Sequence, residues 1–446
     1  MRQQRTIQAS LFDLFAAHEI GRELKAMSAW LDEHPALITM VGDDLRRRGV
    51  KAIGRQGLTS ESALRCALLK QHRQLSYDEL AFHLEDSASF RTFARLPVAW
   101  TPKKSALHKT ISAIRAETWE AINRAVLASA RQEKVEPGEV IRLDSTATAA
   151  LMHEPSDSSL LWDAVRIIAR MLKAAEPLDG GEPIVWRGRR RAAKRRAQAI
   201  QYTRGRPRRV QQYRELIKIT RAMLAHLDEA TMRLSKVVGV MAEVWRAALA
   251  HYRPLIEKII TQTERRVLGG EAVPASQKIV SLFEDHADII VKGGRVTRYG
   301  HKLNLVTGKS GLVLDLVIET GNPADSERFA PMLERHIDAY GCAPRQMAAD
   351  GGYASADNLN KAKAQGVADM AFHKKVGLRI EDMVKSRWVY RKLRNFRAGI
   401  EADISCLKRA YGLGRCTWRG LAHFKAYVWS SLVAYNLALF TRLRPA

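Results

Sequence analysis

The sequence predicts an α+β or α/β chain: a mixed sheet with flanking helices, an N-terminal helical domain and a helical insertion. Three observations predict it. Residues 1–135 read as a series of helices, with apolar residues at helical spacing. Short β-branched and apolar runs near 139–144, 287–292, 299–307, 312–320, 344–350 and 367–373 read as strands. Between the first two of these runs, residues 156–284 return to a helical pattern. The expected boundaries are therefore 1–135 for the N-terminal domain, 136–155 for the first part of the sheet, 156–284 for the insertion, and 285–446 for the rest of the sheet and the C-terminal helices.

Each element has a local reason. Phe12–Leu31 carries one apolar stripe, and Thr59 or Ser60 is placed to cap a second helix. Ser76 and Glu79 have capping-box spacing, and Ser89–Leu96 and Ser105–Leu127 complete the series. Short helices, tight turns and interspersed Arg and Lys suit a helix-turn-helix module that reads DNA; a plain helical bundle is the alternative. The pattern changes at Gly138, after which a strand ends in Asp144. Leu160–Leu172 is amphipathic, and Tyr213–Ile260 is a long run with little Gly or Pro. Gly308–Gly311 reads as a hairpin turn between two strands, and Asp325–Tyr340 as a helix with Asp325 as its cap. Pro344–Asp350 is a strand that again ends in a carboxylate, and Trp388–Tyr411 is a long basic helix carrying Glu401.

Composition points to a partner. The 446 residues suggest roughly three domains. A hydrophobic share of 46% belongs to a globular chain. Lys and Arg number 73 against 47 Asp and Glu, a net charge of +26 that attracts polyanions. The apolar stretch Val428–Phe440 is interrupted by Ser430, Ser431 and Asn436 and is too short to span a membrane. The N-terminus shows no signal-peptide pattern, so a soluble, cytoplasmic protein in contact with nucleic acid is expected. Cys66, Cys342, Cys406 and Cys416 form no CxxC pair and read as reduced, mostly buried thiols.

The densest charge lies in the insertion. Arg187, Arg189, Arg190, Arg191, Lys194, Arg195 and Arg196 are followed by Arg204, Arg206, Arg208 and Arg209, with no acid from Arg187 to Arg209. A solvated helix face usually mixes both signs, so this run reads as a phosphate-contacting surface.

Two strands ending in Asp144 and Asp350, and a helix carrying Glu401, have chemical content together. Neighbouring strand ends converge in a mixed sheet, and three hard oxygen ligands suit Mg²⁺ or Mn²⁺. Two such ions clamp an in-line phosphoryl displacement. On the helix, Arg397 lies about 40° and Lys408 about 20° from the face of Glu401. That stripe is either a site for a nucleic-acid strand or a surface helix with i,i+4 ion pairs; geometry alone leaves both open.

A resemblance favours the first. Asp144-Ser145-Thr146 resembles the first motif of bacterial DDE insertion-sequence transposases, and Asp350-Gly351-Gly352-Tyr353 resembles the second. Arg397, Glu401 and Lys408 match the spacing of the third, in which Arg394 stands where a tyrosine is expected. Leu75–Leu80 and Asp86–Phe93 look like the N-terminal helical domain of these enzymes, and the nearest likeness is to the ISNCY-type group. The resemblance implies a ribonuclease H-like core, with Asp144, Asp350 and Glu401 as the metal-binding and catalytic triad. It implies two Mg²⁺ or Mn²⁺ ions, and phosphate contacts from Arg397 and Lys408. It also implies double-stranded DNA as substrate, both terminal inverted repeats and target, and a homodimer or higher oligomer on DNA. The activity implied is cleavage at transposon ends and strand transfer; an inactive DNA-binding copy and a nuclease without strand transfer are the alternatives. The large insertion falls between the first and second acids.

Several other residues read as structural. Ser145 lacks the His–Asp partners of a nucleophile, and His301 reads as a packed strand histidine. Asp157 and Asp163 suit helix capping and a solvated face, Trp418 the core, and Tyr353 a role in shaping the site.

Overall fold

The computed structural model describes residues 18–47, 57–97, 100–178, 184–292, 296–374 and 376–444. The chain divides into two units, Met1–Leu151 with Gly300–Ala446, and Met152–Tyr299.

The first unit opens with α1 (Glu19–Glu33), α2 (Pro35–Arg46), α3 (Ser60–His72), α4 (Tyr77–Asp86), α5 (Ala88–Phe93), α6 (Lys104–Ile111) and α7 (Ala116–Gln132). Thr59 Oγ1 caps α3 by accepting from the Ser62 amide at 3.0 Å. The Ser76–Glu79 capping box closes in both directions. The expected first helix is described only from Glu19; residues 12–17 lie outside the described residues. The expected helix over 105–127 is instead two, α6 and α7. The break is held from outside: buried Asp44 of α2 accepts from the Arg115 amide at 2.9 Å and from Thr118 Oγ1 at 2.6 Å. That carboxylate caps α7 in place of a side chain of its own. Of these helices, α3 is buried along its whole length.

β1 (Val140–Ala149) follows. The second unit holds α8 (Asp157–Ala175), α9 (Arg190–Tyr202), α10 (Arg206–Arg233), α11 (Val240–Thr263) and β2 (Asp288–Lys292). Its apolar core joins Ile168 and Leu172 of α8, Ala197 of α9, Leu216 and Met223 of α10, and Trp245 of α11. The run 213–260 is divided between two helices; Gly239, at φ +138°, starts the second. Asp157 and Asp163 are both buried rather than solvated. Ser156 is the cap of α8, while Asp157 pairs with Arg266 at 2.8 Å and Asp163 with Arg166 at 2.8 Å.

The chain then forms β3 (Val296–Gly308), β4 (Val313–Ile318), α12 (Asp325–Tyr340), β5 (Gln346–Ala349), α13 (Ala356–Ala364), β6 (Asp369–Phe372), α14 (Ile380–Met383), α15 (Arg387–Ala410) and α16 (Leu421–Leu443). The sheet has six strands in the order β2-β3-β1-β5-β6, with β4 also on β3. β3 runs antiparallel to β1 and β4, and β5 runs parallel to β1 and β6. This is the ribonuclease H-like mixed sheet. One expectation is corrected: β1 does not end at Asp144 but continues to Ala149, because its antiparallel ladder with β3 extends to the pair Ala149–Gly300. Asp325 is also not a cap; Ala324 holds that position, and Asp325 pairs with Lys302 at 2.6 Å.

α16 is the central helix of the first unit, packed against α3, α7 and β4. Its polar residues have partners. Asn436 accepts from the Val313 amide at 2.9 Å and donates to Asn123 Oδ1 and the Val313 carbonyl, each at 2.7 Å. Ser431 Oγ accepts from Gln71 Nε2 at 2.8 Å. Among the described residues no helix is long and apolar enough to cross a membrane.

Gly138, where the sequence pattern changes, is packed against α12. A Cβ there would lie 2.5 Å from the Tyr340 ring, and its φ is +74°. Its carbonyl accepts from Nε2 of buried His336 at 3.0 Å. Burial pushes His336 down to about 4 from 6.5. Between those pH values the unfolded chain takes up a proton that the folded chain refuses. Stability is therefore expected to fall by roughly 3 kcal/mol as pH drops from 6.5 towards 4. Urea melts across this range check it, and His336→Gln is expected to flatten the dependence.

Candidate active site

The last parallel pair between β1 and β5 is Leu143 with Ala349. The next residue on each strand is an acid, Asp144 and Asp350. Parallel neighbours lie about 4.8 Å apart, so register alone brings these two carboxylates side by side. After Ala349 the chain turns tightly at Gly351–Tyr353. Both glycines are sterically required: a Cβ on Gly351 would lie 2.8 Å from Lys374 Cβ, and one on Gly352 2.9 Å from Asp325 Oδ2. Buried Tyr353 donates to Asn304 Oδ1 at 2.6 Å. Burial first, and then the Asp325, Asp144 and Asp350 carboxylates, hold its hydroxyl well above the usual range. It stays protonated and orders the floor of the site.

The third acid arrives on α15, which crosses β1, β5 and β6. Two residues set this crossing. Gly399 lets the helix approach, since a Cβ there would lie 2.1 Å from Arg142 Nη1. Arg142 reaches out of β1 and ties the layers together. It donates to Thr307 Oγ1 at 2.8 Å, to the Phe396 carbonyl at 2.7 Å and to Asp403 Oδ2 at 2.5 Å. Its guanidinium also lies 4.7 Å from the centre of the Phe396 ring. Burial raises the Asp403 carboxyl, and Arg142 opposes that rise.

All three acids meet on one side chain. Arg397 Nη2 lies 3.0 Å from Asp144 Oδ2 and 3.2 Å from Asp350 Oδ1, and Nη1 lies 3.0 Å from Glu401 Oε1. Asp144 Oδ1 is taken by the Ser145 amide at 2.7 Å, which turns Oδ2 towards Arg397. The site is graded in exposure. The side chains of Arg397 and Asp144 are buried, that of Asp350 is 36% exposed and that of Glu401 66%. It therefore opens to solvent on the Glu401 side. Lys408 is half-buried and packs near Gly414, and exposed Arg394 lies over the Tyr390 ring at 5.9 Å.

The donor set suits a hard divalent cation: three carboxylates converge on one cationic group. Among the described residues no three of His, Cys, Asp or Glu already stand at metal-ligand spacing. The guanidinium lies between the acids that would have to close up.

The basic residues of the insertion form a separate feature. α9 buries Ala193, Ala197 and Ile200 and leaves its cations outward. Arg187, Arg190, Arg191, Lys194, Arg195, Arg196, Arg204, Arg206, Arg208 and Arg209 are exposed, and Arg189 is half-buried. Among the described residues none of the eleven pairs with a carboxylate; Arg196 bonds Gln212 and Arg209 the Thr203 carbonyl.

The remaining residues have structural places. His301 is buried, bonded to the Glu319 carbonyl at 2.9 Å and set edge-on to Phe424. Trp418 is buried against Tyr427. Ser145 is buried on β1, and Asp315 pairs with Arg335 at 2.6 Å. Sequence reasoning missed Arg142, Gly399, Asp403 and Asn304. Arg142 did carry a signal, as a lone charge inside the apolar run Val140–Leu143.

Residues 283–437 match the family model of the transposase DDE domain. The match includes Asp350 and Glu401 and begins after Asp144. That stretch is similar to the DDE domain of insertion-sequence transposases, enzymes of DNA transposition that generally use divalent metal ions. The match does not reach the finer ISNCY-type grouping. Neither a curated protein nor a solved structure matches the chain.

Gly399→Ala is expected to push α15 off β1, because the buried Arg142 guanidinium is fixed by three bonds and cannot move aside. A stability loss of roughly 1–3 kcal/mol in denaturant melts is the expected outcome, with a larger proportional loss of DNA cleavage as Glu401 shifts.

Proposed function

We propose that the protein cuts DNA at the ends of its own mobile element and joins those ends to target DNA, with Asp144, Asp350 and Glu401 as metal-holding acids. The observation that carries this reading is the meeting of three carboxylates, from β1, from the end of β5 and from α15, within 3.2 Å of one guanidinium. Divalent ions held there, Mg²⁺ or Mn²⁺ and two per site, would activate an attacking oxygen and steady a leaving one.

The chain's own residues supply the rest. Asp144 is oriented by the Ser145 amide, and Glu401 is carried on a helix locked by Arg142. Arg397 and Lys408 lie on the same stripe of α15 and supply cations for the phosphates of the bound strand. In the first reaction, water attacks a phosphodiester at the transposon end and leaves a 3′-hydroxyl. In the second, that hydroxyl attacks a target phosphodiester, and a target 3′-oxygen leaves. No side-chain nucleophile is needed. The basic run Arg187–Arg209 holds double-stranded DNA through its phosphates, and the N-terminal helices add a DNA-reading module. Working on paired ends suits a homodimer or higher oligomer.

Asp144→Asn is expected to abolish Mg²⁺-dependent cleavage of the element's ends while leaving DNA binding intact. Full cleavage by that variant would remove the triad assignment. Joining of cut ends to a plasmid separates a transposase from a simple nuclease. Reversal of charge at Arg190, Arg191, Lys194 and Arg195 is expected to weaken DNA binding and to lower the slope of log K against log salt by roughly one for each phosphate no longer neutralised. Filter-binding titrations between low and moderate salt measure it, and an unchanged slope would refute the assignment.

A further inference from the structure

Arg397 occupies an unusual position for a residue assigned to bind DNA phosphate. Its two terminal nitrogens are spent on Asp144 Oδ2, Asp350 Oδ1 and Glu401 Oε1. Those are the oxygens turned towards the centre of the site, since Asp144 Oδ1 is already held by the Ser145 amide. We infer that Arg397 is the internal counter-ion of the triad. It competes with divalent ions for the same oxygens, and gives them up when such ions load. The inference rests on the triad reading above.

Four observations support it. Three carboxylates this close repel one another unless a cation lies among them, and Arg397 is the cation in contact with all three. The acids stand around a guanidinium and not at metal-ligand spacing. The fit of the arginine is also incomplete: its Nε is buried with no hydrogen-bond partner. A donor left unsatisfied in this way marks a conformation held by charge rather than by full bonding. Finally, the exposed Glu401 side gives the side chain an outward path. A guanidinium released there carries its charge to the solvent-facing mouth, where a DNA phosphate would approach. One side chain would thus couple metal loading to strand engagement.

A permanently structural arginine predicts the opposite behaviour, because its loss would scatter the acids and weaken metal binding. The full-length protein, Arg397→Gln, Arg397→Lys and Asp144→Asn are titrated with Mn²⁺ by calorimetry, without DNA and at fixed ionic strength. Each is also melted in EDTA and in Mn²⁺. Arg397→Gln is expected to bind Mn²⁺ roughly tenfold tighter than the parent or more. It should melt lower in EDTA and gain more from Mn²⁺ than the parent does. Arg397→Lys, with one compact ammonium in place of a fork, should fall between them. If Arg397→Gln does not melt cooperatively, Arg397→Lys decides by the same direction of change. Equal or weaker Mn²⁺ binding by the Arg397 variants, while Asp144→Asn loses it, overturns this inference and leaves the triad standing. Mn²⁺ binding that is absent from the parent, or unaffected in Asp144→Asn, overturns both.

Discussion

The parallel ladder between β1 and β5 is the constraint on which the site depends. It is four pairs long and stops at Leu143 and Ala349. Because the register is fixed by two buried strands, the acids that follow are held side by side. A slip of one residue would turn one carboxylate to the opposite face of the sheet. β1 then continues alone with β3, so Asp144 lies at the point where the sheet loses one neighbour and keeps the other. That local opening gives a buried aspartate access to a helix and to solvent.

The helix layer is fixed by a different kind of contact. Arg142 is a charged residue inside the sheet, and every polar end of its guanidinium is matched. Leaving such a group unpaired is costly, so the match is directional in a way that apolar packing is not. It sets both the height and the rotation of α15 over β1. Gly399 removes the steric obstacle to the same approach. Arg142 stands at the sheet and Arg397 at the mouth, two buried arginines on one helix interface, the first holding the helix and the second holding the acids.

Much of the fold was legible because it follows local rules. The β3–β4 hairpin around Gly308–Gly311, the helix Asp325–Tyr340 and the capping box at Ser76 are written in turn residues, periodicity and caps. The misread boundaries are places where a distant residue decides. β1 runs past Asp144 because of β3, α7 begins where Asp44 caps it, and Asp157 is buried because Arg266 pairs with it. In the site, helix geometry on α15 left two readings open, a functional stripe or an i,i+4 ion pair. Arg397 and Glu401 do form that pair at 3.0 Å. What the helix pattern could not contain is that the same guanidinium also meets two acids from the sheet.

The second unit enters the chain in place of what would otherwise be a hairpin turn. β1 and β3 are antiparallel neighbours whose outermost pair is Ala149 with Gly300, and residues 152–299 leave and return there. A Cβ on Gly300 would lie 2.0 Å from the Thr148 carbonyl, so the two crossing points are held in direct contact. The excursion therefore starts and ends at two adjoining strand positions. Its ends are already closed by the scaffold, so its length adds little entropic burden to the sheet.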